Sequence, residues 1–456
     1  ASQLTTQSPD NVEKEEHILV FQDWNHDWDS NMVTMKMRHG LYSKGKKLSN
    51  THTLADINYS AFEFQSGLIN GRGRFYENQA HNGAPLSEFS VVKNNTYRFR
   101  LINAGDIQAF RVSIDEHTLQ VVATDGHPIQ PVVVESLILN PGERYDIILV
   151  ANQSVGNYWI RGQTLQREHN HTAEAILRYA GAPLNQDPTS SKQNCTISSP
   201  CVVLNCPFSV YPADSNTYCY NYDKIRSLKP VNLQKPPGRN IREFFLNFAF
   251  PGTTETPGST NGKSFVNQDY AILSKSQKPR LTCSRNDCGD DKVCHCPYDV
   301  SYDNGDLIQF VFLNMGSGKG WDHPIHMHGH SFQVVKVGFP SYNETTGTFI
   351  EDNNDIDCGF QFCNNAKWSN NTWNNDNVPG LDLVLGPLKD DIMVPSGGYV
   401  VARIMADNPG MWIIHCHIEL HMTDGMAALL NESQPLWPTP PRDFPTCHNF
   451  YDQGTN

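Results

Sequence analysis

The chain has 456 residues, enough for two domains that each bury a sizeable core. Its 35 Lys and Arg against 48 Asp and Glu leave a net charge of −13, which disfavours nucleic acid or an anionic membrane as partner because like charges repel. No stretch approaches the roughly 18–20 apolar residues that span a bilayer. The polar opening ASQLTTQSPD has no apolar signal core, so we expect no membrane association and a chain that starts at a processed or cut end.

After a tail over 1–14, nearly every apolar run is short, rich in Val, Ile, Phe and Tyr, and alternates with polar residues. YRFRLIN (97–103), YDIILV (145–150) and YVVARIM (399–405) read as strands. Turn pairs such as Asp125-Gly126, Asn140-Pro141-Gly142 and Asn408-Pro409-Gly410 separate such runs, and no amphipathic run is long enough for a major helix. The pattern predicts an all-β protein: one β-sandwich over 15–180, a Cys-rich connector over 181–240 and a second sandwich over 241–456. The segment from about 340 to 390, with its polar run WSNNTWNNDN, reads as a long loop. It either shapes a binding mouth or is a glycosylated excursion.

Of the 12 cysteines, Cys195, Cys201, Cys206 and Cys219 form one cluster and Cys283, Cys288, Cys294 and Cys296 another, as in a disulfide framework. A zinc knuckle is the rival reading of the second cluster, but its spacings are irregular. Acceptor triplets at Asn58, Asn94, Asn152, Asn170, Asn194, Asn343, Asn370 and Asn431 agree with a secreted, extracellular glycoprotein.

Most of the chemistry sits in HPIHMHGH (323–330) and HCHIELHMTDGM (415–426). In a strand, side chains two apart share a face, so His415 and His417 point one way and Cys416 the other. By the same parity His326 and His328 share a face, with His323 free to turn opposite. One side then offers four imidazoles. The other offers a thiolate with two imidazoles and a thioether, from Cys416, His323, His421 and Met426, which is the ligand set of a blue-copper electron-transfer centre. A lone His-x-His is more often a coincidence in a strand. Two pairs with a Cys at the centre of one do not fit that reading, and structural zinc closes with four ligands at one site rather than two opposed faces.

These two stretches resemble the third-domain signatures of multicopper oxidases. ILVFQDWNH, LINGRGRF, YRFRLINAG and NPGERYDIILV resemble second-domain segments of laccases, and CSRNDCGDDKVCHC is similar to the animal type. The resemblance implies two cupredoxin-like Greek-key domains and four coppers in the complete protein. His323, Cys416 and His421, with Met426 axial, would hold type 1 copper; His326 would hold type 2, and His328, His415 and His417 the type 3 pair. It implies a phenol oxidase that passes single electrons to dioxygen. Glu419, continuing the 415, 417, 419 parity, is a candidate proton relay, its rival reading being an ion-paired strand carboxylate. Asp106 lies near the position where laccases place a carboxylate that accepts the phenol proton, against the alternative of a solvated loop residue.

The first-domain pairs resembling HWHG and HSH do not occur in the sequence. We therefore expect a separate polypeptide to supply the first cupredoxin domain. Setting Cys416 aside leaves an odd number of cysteines, and Cys447 is the candidate for a bridge to that partner, since laccases often tie their tail to the first domain. Two further readings stay open: a ferroxidase, and a non-enzymatic blue-copper electron carrier.

Overall fold

The computed structural model describes residues 15–26, 65–77, 80–166, 171–233, 235–239, 241–251, 257–266, 272 and 293–441. Asn58, Asn170, Cys283, Cys288, Cys447 and the tail 1–14 lie outside the described residues. The chain is built of strands, as its alternation predicts.

The first sandwich is organised around the strand Thr96–Asn103, whose side chains alternate between half-buried and buried. Tyr97, Phe99 and Leu101 enter the core, while Arg98 and Arg100 stay on the outer face and pair with Asp146. It runs parallel to Glu16–Trp24 and antiparallel to Arg144–Val150, with Arg144 opposite Ile102. The Cys-rich stretch does more than connect. Cys201–Leu204 and Thr217–Tyr220 add two parallel strands to the same sheet, held by the disulfides Cys195–Cys201 and Cys206–Cys219. Cys294 and Cys296 are also disulfide-bonded, which leaves neither as a zinc thiolate.

Among the described residues, the second sandwich pairs an eight-stranded with a five-stranded sheet. Leu307–Asn314 is buried at every position, between Ile241–Ala249 and Gly398–Met405. A strand buried on both faces needs cover on both. One face packs into the core that runs from Leu19 and Phe21 in the first sandwich to Ile414 and Met426 in the second. The other is covered by the segment read as a long loop, which places Ile356, Cys363, Trp368 and Val378 against Val311, Leu313 and Tyr399. That segment is therefore a packed layer, tied by Cys358–Cys363 and two short ladders. Its Asn343 and Asn370 are exposed, as are Asn94, Asn152 and Asn194, whereas Asn431 is half-buried.

In the five-stranded sheet, His323–Met327 lies between Gly410–Cys416 and Asp391–Val394. The register sets Ile325 opposite Cys416 and His326 opposite His415, so the two histidine motifs are side by side.

Candidate metal centre

Cys416 ends its strand with the side chain fully buried. Its Sγ lies 3.7 Å from Nδ1 of His323 and 3.5 Å from Nδ1 of His421. Bonds of about 2.0 Å to nitrogen and 2.3 Å to sulfur, spread at about 120°, would set such donors roughly 3.7 Å apart. The three atoms thus fit around one ion. His421 is returned to the thiol by the short helix Glu419–Thr423, and a backbone bond from Met426 N–H to the His421 carbonyl follows. The Cys416 N–H donates in turn to the Met426 carbonyl at 3.1 Å, and Met426 is fully buried. Aromatic rings close the site: Phe250 stands edge-on to His421 at 4.8 Å and Trp321 lies 4.6 Å from it. Burial pushes His323 down to about 3 and His421 well below the ordinary histidine range, so both rings are neutral donors. It also holds the Cys416 thiol up, which a bound cation would reverse by taking the thiolate.

On the opposite side the structure brings His326, His328, His415 and His417 together. Ring centroids are 4.9 Å apart for His326 and His328, 5.6 Å for His326 with either His415 or His417, and 5.4 Å for His328 and His415. Nδ1 of His415 faces the Cys416 carbonyl at 2.9 Å and Nδ1 of His326 faces the Asp390 carbonyl at 2.8 Å. A carbonyl accepts only, so each Nδ1 carries the proton and each Nε2 lone pair is free to bind. Nε2 of His328 and of His415 approach to 3.3 Å, a contact that a shared cationic centre would satisfy. Burial, then the neighbouring imidazoles, push His415 down to about 4. The fourth histidine of the first motif, His330, is elsewhere: its Nε2 pairs with buried Glu432 at 2.7 Å.

Glu419 corrects one expectation. The strand stops at Cys416, so the 415, 417, 419 parity is not continued; Glu419 opens the helix, is exposed, and accepts from Thr423 Oγ1 at 3.3 Å. Its N–H donates to the Asp106 carbonyl at 3.2 Å, which makes the two carboxylate candidates neighbours. The loop bearing Asp106 is organised by Asp23, whose carboxylate accepts the N–H groups of Asp106, Ile107 and Gln108 at 2.7–2.8 Å. Burial, with the charges of Asp23 and Glu419, pushes the Asp106 carboxyl up to about 7.

Sequence reasoning missed Asp322, buried beside His323 and accepting the Ser396 N–H at 2.7 Å. It also missed the aromatic cover from Phe250 and Trp321. Adjacency to His323 was the available signal for Asp322 and Trp321; Phe250, far along the chain, gave none.

Residues 15–182 and residues 266–435 each match a family model described as multicopper oxidase. Laccase-1 of Botryotinia fuckeliana is 28% identical over 376 residues, covering 81% of this chain and 54% of its own length. Laccase-2 of the same fungus is 30% identical over 362 residues, covering 77% and 51%. The chain thus spans about half the length of these relatives. Among solved structures, the laccase from Botrytis aclada superposes with a TM-score of 0.60 at 23% identity, over 93% of this chain and 65% of that one. Fet3p, a multicopper oxidase that functions in iron import, gives 0.61 at 16%, over 92% and 66%. At such identities the two structures show a common fold.

Proposed function

We propose that this chain, which belongs to the multicopper oxidase family, is the substrate-side part of a laccase-like phenol oxidase of animal type. His323, Cys416, His421 and Met426 would hold type 1 copper; His326 would hold type 2, and His328, His415 and His417 the type 3 pair. When bound, copper supplies one-electron redox chemistry at the first site and reduction of dioxygen to water at the second. The observation that carries the reading is covalent: Cys416 lies at the first site while both of its chain neighbours, His415 and His417, lie in the imidazole cluster. An electron entering through the sulfur has a through-bond path to either ring across one peptide unit.

The chain's own residues would do the proton work. Asp106 accepts the phenol proton and Glu419, beside it, feeds protons toward His417. Asp322, the acidic group next to His323, is buried and committed to Ser396, so it offers no surface to an aqueous iron ion, whereas Glu419 and Asp424 near His421 reach solvent and keep Fe(II) as the alternative donor. The remaining ligands of the oxygen-reducing cluster would come from a first cupredoxin domain, in this or another polypeptide outside the cell, to which Cys447 is the candidate bridge. Support comes from the four imidazoles gathered on one side of this chain and from the longer relatives.

The test is copper content, the blue absorption band, and oxygen uptake with a diphenol and with Fe(II), each with and without a first-domain polypeptide. Four coppers and diphenol-driven uptake only in the assembly are expected. One copper with a blue band and no uptake in any assembly would make the chain an electron carrier, and preference for Fe(II) would make it a ferroxidase.

A further inference from the structure

A buried group of polar contacts between the two sandwiches converges on residues 389–391. Lys389 has no exposed surface, and its ammonium reaches Asp125 at 3.1 Å, Glu143 at 3.2 Å and Thr124 Oγ1 at 2.6 Å, all in the first sandwich. The Asp125 carboxylate also accepts the N–H groups of Asp390 and Asp391, both at 3.2 Å. Arg144 completes the grip with a two-pronged pair to Asp390, Nη1 to Oδ1 at 2.5 Å and Nη2 to Oδ2 at 2.7 Å. The peptide held this way carries the carbonyl that accepts Nδ1–H of His326. Arg144 Nη1 also donates to the Gly142 carbonyl at 3.0 Å. Gly142, at φ +85°, packs so closely on His417 and Asp391 that a Cβ there would lie 2.4 Å from the His417 ring and 2.3 Å from the Asp391 carboxylate.

We infer that Arg144 is a positioning residue for the imidazole cluster: reaching from the first sandwich, it fixes the Asp390 carbonyl that aims His326 and the Gly142 turn that backs His417. A planar guanidinium can hold both carboxylate oxygens at once, which sets the direction of the peptide as well as its distance. This rests on the reading of His326 as a copper ligand. It assigns to the first sandwich a function inside the cluster to which it gives no ligand.

The experiment compares Arg144→Gln, Arg144→Lys and Asp390→Asn in the copper-loaded assembly. The control is Arg226→Gln, which removes another ion pair to the second sandwich, with Asp382 at 2.9 Å, without touching 389–391. Arg144→Gln is expected to weaken copper at the His326 site by roughly 10- to 100-fold and to alter its type 2 paramagnetic resonance spectrum, as loss of groups that orient a ligand does. The blue band should keep its position and intensity. Lysine should not restore the spectrum, having no second prong, and Asp390→Asn should reproduce the loss; these two carry the test if the glutamine variant fails to fold. In metal-free protein, ¹⁵N shifts of the His326 ring should report a protonated Nδ1 that becomes a tautomer mixture in Arg144→Gln. An unchanged type 2 spectrum and unchanged ring shifts, or the same changes in Arg226→Gln, would overturn the inference. Absence of any copper or blue band in the unmodified protein would instead remove the reading beneath it, and the ring shifts would still decide whether Arg144 aims His326.

Discussion

Sγ of Cys416 and Nδ1 of His421, five residues apart in the chain, sit 3.5 Å from one another inside a shell that admits no water to either. A single turn of helix makes this possible by folding the chain back directly after the strand ends. The thiol has one further polar neighbour of the same kind, His323, so its replacement tests the whole centre.

Cys416→Ser should abolish the blue band and lower phenol oxidation by more than about 100-fold, beyond the 10- to 100-fold typical of residues that only orient a ligand. The metal-free protein should still fold, losing about 1–3 kcal/mol for the buried hydroxyl. Absorbance of the copper-loaded variant beside a urea melt of the metal-free one checks both halves.

The role proposed for Asp106 predicts a pH dependence. As an acceptor it works only when ionised, and its carboxyl is pushed up to about 7, so phenol oxidation should rise with pH through that value. Asp106→Asn should lose this limb and slow phenols, while a donor that releases no proton, such as ferrocyanide, is oxidised at the old rate. The sign for stability is opposite. The folded state holds a proton that the unfolded chain releases near 3.8, so the wild type loses stability as pH rises from about 4 to 7. Melts of wild type and variant at pH 5 and 8 should show the variant gaining at the higher pH.

Gly142→Ala places a methyl group against the His417 ring in a left-handed backbone. We expect a loss of about 1–3 kcal/mol and a failure of oxygen reduction with the blue band intact. The discriminating measurement is anaerobic reduction of the blue band by a diphenol, which should remain, against oxygen uptake, which should fall.

How much of this could be read from the residues follows from the range of the interactions. Parity within a strand is local, and it placed Cys416 opposite His415 and brought His326 and His328 to one face. The same rule misled at Glu419, because nothing local announces that the strand ends at Cys416 and a helix opens at Glu419; packing of Leu420 and closure of the turn on Met426 decide it. Arg144 and Asp390 were silent for a different reason. They are 246 residues apart, and each alone reads as an ordinary charged residue near a strand end. The segment 340–390 looked loop-like since its polar residues outnumber the few, such as Trp368, that anchor it.

Lys389→Met should be among the most damaging single changes outside the metal sites. It would leave Asp125 and Glu143 buried without their cation, a situation that costs about 3–5 kcal/mol. Denaturant unfolding at pH 7 measures it, and a loss below about 1 kcal/mol would mean that the carboxylates are neutral in the folded protein.

The dryness of Lys389 has a practical corollary. Mobile ions at molar concentration shorten the reach of exposed charges to about 3 Å, yet they cannot enter a space that excludes water. Brine that weakens the exposed Arg100–Glu16 pair would leave the seam between the sandwiches untouched, so the two halves should keep their mutual placement at salt concentrations that part ordinary electrostatic complexes.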